Sequence, residues 1–196
     1  MIKFVYFDLG GVVERDFSGT NKWNELKRDL KINDPNFDSW FDEYEKRLCV
    51  GTANFENTKF TLNDFVSRFE VNKSIWPVID EIRRHCRVGL LTNMYPGMFK
   101  SIKDHGILPE INWDIIIDSS LVGLQKPEPK IFELAQKLAD VRGEEILFVE
   151  NTKEHTEVAK TLSWQTFLYD PSHPESSSNN LLAFFHLAPK QRPKYS

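Results

Sequence analysis

Ile2-Lys3-Phe4-Val5-Tyr6-Phe7-Asp8-Leu9-Gly10-Gly11 decides how the rest of the chain reads. The run Ile2–Phe7 is rich in Val, Ile, Phe and Tyr without clean alternation. That pattern predicts a strand covered on both faces. It ends in an acid, and two glycines follow that let the backbone turn sharply and approach a bound group closely. Four later runs have the same character: Arg87–Leu91, Asp114–Ile117, Glu145–Val149 and Gln165–Tyr169. Helical stripes lie between them. Ile131, Phe132, Leu134, Ala135 and Leu138 form one, with Pro127 and Pro129 as start signals. Val158, Ala159 and Leu162 form another, and Ile75, Val78, Ile79 and Ile82 a third, with Ser74 placed to cap it. Strands alternating with helices predict an α/β fold with a parallel sheet of βαβ units.

The stretch from Arg15 to Asn72 breaks this alternation. It carries three helical patterns and no convincing strand: Trp23, Leu26, Leu30; then Phe37, Trp40, Phe41, Tyr44, Leu48, closed by Gly51; then Leu62, Phe65, Val66, Phe69, with Thr61 as N-cap. It reads as a helical insertion after the first strand, whose aromatic rings serve as packing residues. At the other end, Pro171 to Asn180 reads as a loop, Leu181–Leu187 as one or two last helical turns, and Pro189 onward as frayed.

Composition narrows the function classes. The chain has 196 residues, 40% apolar and 28% charged, the balance of a soluble globular protein of one domain plus a small insertion. Lys and Arg number 25 against 29 Asp and Glu, a net charge of −4, so no global field collects nucleic acid. No apolar run approaches the roughly 20 residues that span a bilayer. Asp8 interrupts the first apolar run too early for a signal peptide. Two cysteines, Cys49 and Cys86, make neither a disulfide framework nor a zinc cluster. The expected address is the cytoplasm. Oligomeric state is not legible.

Ligands of open parallel sheets bind beyond the carboxyl ends of the strands. The polar residues there are Asp8, Thr92-Asn93, Asp118-Ser119-Ser120 and Glu150-Asn151, with Lys126 just before a helix. Singly, each has an ordinary reading: a turn aspartate, a helix cap, a solvated lysine, a loop pair. Together they place a carboxylate, a hydroxyl, an amine and a second carboxylate at one sheet edge. Asp8, Thr92, Lys126 and Glu150 are expected to converge on one phosphate-sized space, a site for an oxyanion plus a hard cation.

At this point the chain resembles the haloacid dehalogenase-like hydrolase superfamily. Phe7-Asp8-Leu9-Gly10-Gly11-Val12-Val13 resembles its first motif, Leu90-Leu91-Thr92-Asn93 its second, Ser119 to Phe132 its third, and Ile146-Leu147-Phe148-Val149-Glu150-Asn151 its fourth. The resemblance implies a Rossmann-like parallel core, residues 1–14 and 73–196, and a helical cap, residues 15–72. It implies a phosphatase of a small phosphorylated metabolite. Asp8 would be the nucleophile, forming an aspartyl-phosphate. Thr92, Asn93 and the turn at Gly11 would hold phosphate oxygens, and Lys126 would neutralise charge and orient Asp8. Mg²⁺ would be bound by Asp8, the Gly10 carbonyl, Glu150 and Asn151.

Two positions depart from the family pattern. Phosphatases of the superfamily usually carry a second Asp two residues after the nucleophile, where this chain has Gly10. General acid–base help is worth roughly 10²–10⁴ in rate, so its loss should be felt. Asn151 replaces a usual metal-binding Asp, which predicts weak Mg²⁺ binding. His155 reads as a helix-surface residue, and Arg15, Arg47 and Tyr44 either face the site or are solvated. A degenerate binding protein without turnover and a metal-independent dehalogenase stay open as alternatives. The dehalogenase's usual Asp-x-Tyr-Gly-Thr type of first motif is not matched by Leu9-Gly10-Gly11-Val12.

Overall fold

A computed structural model describes residues 1–56 and 58–187. Strand β1 (Phe4–Phe7) is followed by the two-residue β2 (Glu14–Arg15), helices α1 (Lys22–Asp29), α2 (Phe37–Cys49) and α3 (Leu62–Val66), and the equally short β3 (Glu70–Val71). The chain continues through α4 (Trp76–Ile82), β4 (Arg87–Thr92), α5 (Met98–Asp104), β5 (Ile115–Asp118), α6 (Ser119–Val122) and α7 (Pro129–Ala139). It ends with β6 (Ile146–Glu150), α8 (Lys153–Thr161), β7 (Gln165–Leu168) and α9 (Pro174–Leu187).

Five strands form one parallel sheet in the order β5-β4-β1-β6-β7. The chain builds outward from β1 on one side, then returns to build on the other. The crevice where strand order reverses therefore opens at the carboxyl end of β1, beside Asp8. Side chains alternate across the sheet. Val5 and Phe7 face a core shared with α4, α9 and the inserted helices. Phe4 and Tyr6 face a second core with Ile131, Phe132 and Ala135 of α7 and with Trp164. The Tyr6 ring stacks on Trp164 at 5.8 Å, and its hydroxyl donates to Ala135 O at 2.8 Å.

β1 and β6 are buried throughout, and β4 after Arg87, but the edge strands are not: Ile116 is 44% exposed and β7 only half-buried. An edge strand has a free side that no flanking helix closes. Within the insertion, Thr61 caps α3 in a reciprocal box with Asp64. The aromatic stripes meet: Trp23 and Phe41 at 4.8 Å, Phe37 and Phe60 at 5.5 Å, Phe41 and Phe65 at 5.9 Å between ring centroids.

Three expectations need correction. The insertion is bracketed by strands, since β2 and β3 pair antiparallel (Glu14↔Val71, Arg15↔Glu70) at its two ends. Two residues are too few to leave a periodic signal. Ser74 does not cap α4; its hydroxyl donates to Asn72 Oδ1 at 2.7 Å, while Asn72 Nδ2 donates to Val12 O at 2.7 Å and pins the returning chain. The loop read at Pro171 to Asn180 is largely helix. Pro174 opens α9, as proline suits a first helical position. Burial of Leu181 and the Tyr169–Ser178 hydroxyl contact at 2.8 Å override the weak propensity of Ser and Asn. The expected frayed end, Pro189 onward, lies outside the described residues. Among those described, no helix is long and apolar enough to cross a membrane.

Candidate active site

Asp8 continues β1 by donating its N–H to Val149 O at 2.9 Å. The chain then folds back. Leu9 O accepts from Val13 N at 2.9 Å and Glu14 N at 3.1 Å, a turn that needs the positive φ of Gly11, +73°. Asp8 Oδ1 accepts from its neighbour, Leu9 N, at 2.7 Å and meets Lys126 Nζ at 2.9 Å. The Lys126 side chain is fully buried and also reaches Glu150 Oε2 at 2.7 Å. Its ammonium lies 5.4 Å from the Phe148 ring. The Asn93 side chain clamps the Lys126 backbone in both directions, Nδ2 to Lys126 O and Lys126 N to Oδ1, each at 2.9 Å.

Glu150 is a closed account of donors. Oε1 accepts from Asn151 N and Thr152 N, both at 2.9 Å, and Oε2 accepts from Lys126 and pairs with His155 Nδ1 at 3.0 Å. Burial alone would raise its pKa, but Lys126 and His155 hold it well below the usual carboxylate range. Burial and then the Glu150 charge push Asp8 upward, against Lys126. Burial would lower Lys126, and the charges of Asp8 and Glu150 hold it above its ordinary value instead.

A cavity of about 900 Å³ opens over this edge. Asp8, Gly10, Thr92, Asn93, Lys126 and Asn151 line its floor, and Trp23, Phe41 and Phe65 of the insertion line its roof. Glu150 is not among the residues that line it: its oxygens meet four protein donors, Lys126 among them. Arg15, Tyr44 and Arg47 do not line it either. Arg15 lies 3.6 Å from Glu70, and the Tyr44 hydroxyl donates to Asn54 O. Asp118 caps α6, accepting from Ser120 N at 2.9 Å, and Ser119 Oγ accepts from Met94 N at 2.9 Å. Those three polar residues are structural.

A model of one protein family, the haloacid dehalogenase-like hydrolases, matches residues 3–161. The chain belongs to the haloacid dehalogenase-like hydrolases. Among solved structures it is similar to a HAD family enzyme of Bacteroides thetaiotaomicron, an Asp-to-Ala mutant in complex with magnesium and inorganic phosphate. That match has a TM-score of 0.72 and 17% identity, covering 86% of this chain and 94% of that one. A HAD-like hydrolase of Porphyromonas gingivalis matches at TM-score 0.71 and 20% identity, over 97% of this chain and 100% of that one. The L-2-haloacid dehalogenase of Xanthobacter autotrophicus matches at 0.60 and 18%, over 86% and 78%. Mouse acyl-CoA dehydrogenase family member 10 is 26% identical over 155 residues, 75% of this chain; the chain spans only 14% of that relative's length.

The Bacteroides thetaiotaomicron enzyme has been solved with magnesium, so the donor set here can be weighed against that ion. Among the described residues no cluster of three His, Cys, Asp or Glu gathers to hold a metal. Of the four residues the sequence resemblance assigns to the ion, Asp8 alone brings a carboxylate to the cavity, beside the neutral Gly10 carbonyl and Asn151 amide. Mg²⁺ takes one or two carboxylates, keeps several waters and is completed by substrate phosphate. The set fits such a sparse site. The Asn151 amide lies close against Gly11: a Cβ there would meet its Nδ2 at 2.3 Å.

Sequence reasoning missed an acidic wall. Glu14, Asp16 and Glu45 line the same cavity, and burial raises the pKa of each. Glu14 is 2% exposed and its Oε2 has no hydrogen-bond partner among the described residues, while Glu45 accepts from the Tyr95 hydroxyl. The one signal available was Glu14-Arg15-Asp16 itself, charges set directly after a buried turn. His155, read as a surface residue, is a positioning partner of Glu150.

Proposed function

We propose that the protein is a phosphatase of a small phosphorylated metabolite, with residues 15–72 acting as a cap over a core of residues 1–14 and 73–196. The observation that carries this reading is Asp8, held at the cavity floor by a fully buried Lys126. Oδ1 is engaged by Lys126 and Leu9 N, which leaves Oδ2 for an incoming electrophile. Attack on phosphorus forms the aspartyl-phosphate and releases the alcohol; attack by water then releases phosphate and restores Asp8. Lys126 offsets charge that builds on the phosphoryl oxygens, and Thr92 with the backbone amides after it binds them. Glu150, through Lys126 and His155, is a positioning residue. A cavity of about 900 Å³ suits a metabolite rather than a polymer. Asp8, the Gly10 carbonyl and Asn151 would hold Mg²⁺. When bound, that ion lets an anionic carboxylate approach an anionic phosphate.

The test is a screen of phosphorylated metabolites with and without Mg²⁺, with Asp8→Asn as the blank. Turnover that needs Asp8 and Mg²⁺ supports the reading, and hydrolysis undiminished in Asp8→Asn ends it. One observation favours a second reading, metal-independent dehalogenation: Asp8 is the single carboxylate of the implied metal set that reaches the cavity. Halide release from 2-chloropropionate in EDTA would select it. Phosphate binding with no turnover of any ester would select a binding protein instead.

A further inference from the structure

Gly10 leaves a space that another residue fills. A Cβ built on Gly10 would lie 2.5 Å from Asp16 Oδ2 and 3.2 Å from Asp16 Cγ. In an aspartate the carboxylate oxygens lie about 2.4 Å from their own Cβ, as ordinary C–C and C–O bond lengths require. Asp16 Oδ2 therefore sits at the distance from position 10 at which the oxygen of an aspartate side chain there would sit. It arrives from the opposite direction, on the segment that leaves β2. Ser18 N donates to Asp16 Oδ1 at 2.8 Å, which fixes the carboxyl group with Oδ2 toward Gly10. Asp16 lines the cavity together with Asp8.

We propose that Asp16 is the proton donor and acceptor of the reaction, supplying from the β2 segment the carboxyl group that position 10 lacks. This rests on Asp8 being the nucleophile. Asp8 forms a bond to phosphorus, the bond from phosphorus to the ester oxygen breaks, and that oxygen takes the proton of Asp16 and leaves as the alcohol. Asp16, now a carboxylate, takes a proton from the water that attacks the aspartyl-phosphate. The bond from phosphorus to Asp8 breaks, phosphate leaves, and both acids return to their starting forms. Other acids of the wall are less suited. Glu14 is 2% exposed and no contact aims its carboxyl at Gly10, and Glu45 is engaged by Tyr95.

The experiment compares an alkyl phosphate with p-nitrophenyl phosphate, both with Mg²⁺, in single-turnover and burst kinetics. An aryl leaving group needs little protonation. Asp16→Asn keeps the size of the side chain and should slow the first step on the alkyl ester about 10²–10³-fold, and on the aryl ester by less than about tenfold. With the base gone, the aryl ester should give a burst of about one nitrophenolate per protein, and the phosphoryl group should be found on the intact chain by mass. Gly10→Asp alone should clash with Asp16 and lose activity. Gly10→Asp combined with Asp16→Ala has room for the new carboxyl and should recover at least about tenfold over Asp16→Ala. Equal losses on both esters without a burst, or no loss on either, overturn the role of Asp16 while Asp8→Asn still reports the nucleophile. If the unaltered protein turns over neither ester, the phosphatase reading and this role fall together. If Asp16→Asn does not fold, as circular dichroism would show, the double variant decides: failure to rescue overturns the proposal.

Discussion

The two halves of the cavity floor treat buried acids in opposite ways. On the Lys126 side, Glu150 has four donors and Asp8 two, so both side chains are held in place. On the Gly10 side, Glu14 Oε2 has none and Asp16 relies on a turn amide. A saturated cluster holds geometry, because removing any member strands a charge. An unsatisfied one costs about 1–3 kcal/mol per group and persists where the surrounding fold compels it. One half is thus a frame, and the other is the part able to change protonation or take up a ligand.

The contrast can be broken most forcefully from the frame. Lys126→Met strands Asp8 and Glu150 together and should cost about 3–5 kcal/mol in urea unfolding at pH 7, with activity abolished. An unchanged midpoint would mean the cluster is not stabilising. Next is the joint between the halves. Gly11→Ala forces a side chain to a φ of +73° and into Asn151 Nδ2. It should cost about 1–2 kcal/mol for the backbone alone and further weaken Mg²⁺ binding in calorimetric titration. A variant of unchanged stability and affinity would free Asn151 from any role at that corner.

On the unsatisfied side the sign reverses. Glu14 has a folded-state pKa raised by burial, so folding binds a proton more tightly and stability falls as pH rises above the usual carboxylate range. Glu14→Gln should raise the melting midpoint at pH 7 and leave it unchanged at pH 4. A loss at both values would make Glu14 a partnered residue. The smallest effect lies outside the cavity. Glu145 is held by Arg142 at 3.2 Å and Lys3 at 2.9 Å, which lowers its pKa to about 2. Its contribution is present above pH 4.5 and is lost as pH falls through about 2. Glu145→Gln should therefore lie slightly below the parent protein at pH 7 and converge with it in acid.

Much of the sheet is legible in single stretches. The run from Phe4 to Phe7 is apolar on both faces because β1 is central, and the same holds for β6. Edge strands and the two-residue β2 and β3 carry weaker patterns, since a half-covered or very short strand asks little of its sequence. Of the candidate site, Asp8, Thr92, Asn93 and Lys126 are readable because each ends or follows a strand or precedes a helix, and strand ends are local features. Glu150 is readable as a polar residue but not as the anchor of Lys126, which depends on a contact 24 positions away.

The sequence by itself determined a parallel α/β sheet with a helical insertion, and an acid at the turn after its first strand. Hydrophobic periodicity and turn residues act over a few neighbours, so they can be read without coordinates. Tertiary structure decided which acids work as a frame and which stand free. Whether Asp16 fills the space beside Gly10, or Glu150 anchors Lys126, depends on how β2 and β6 are brought beside β1. Those meetings come from the packing of the whole chain, and no local pattern encodes them.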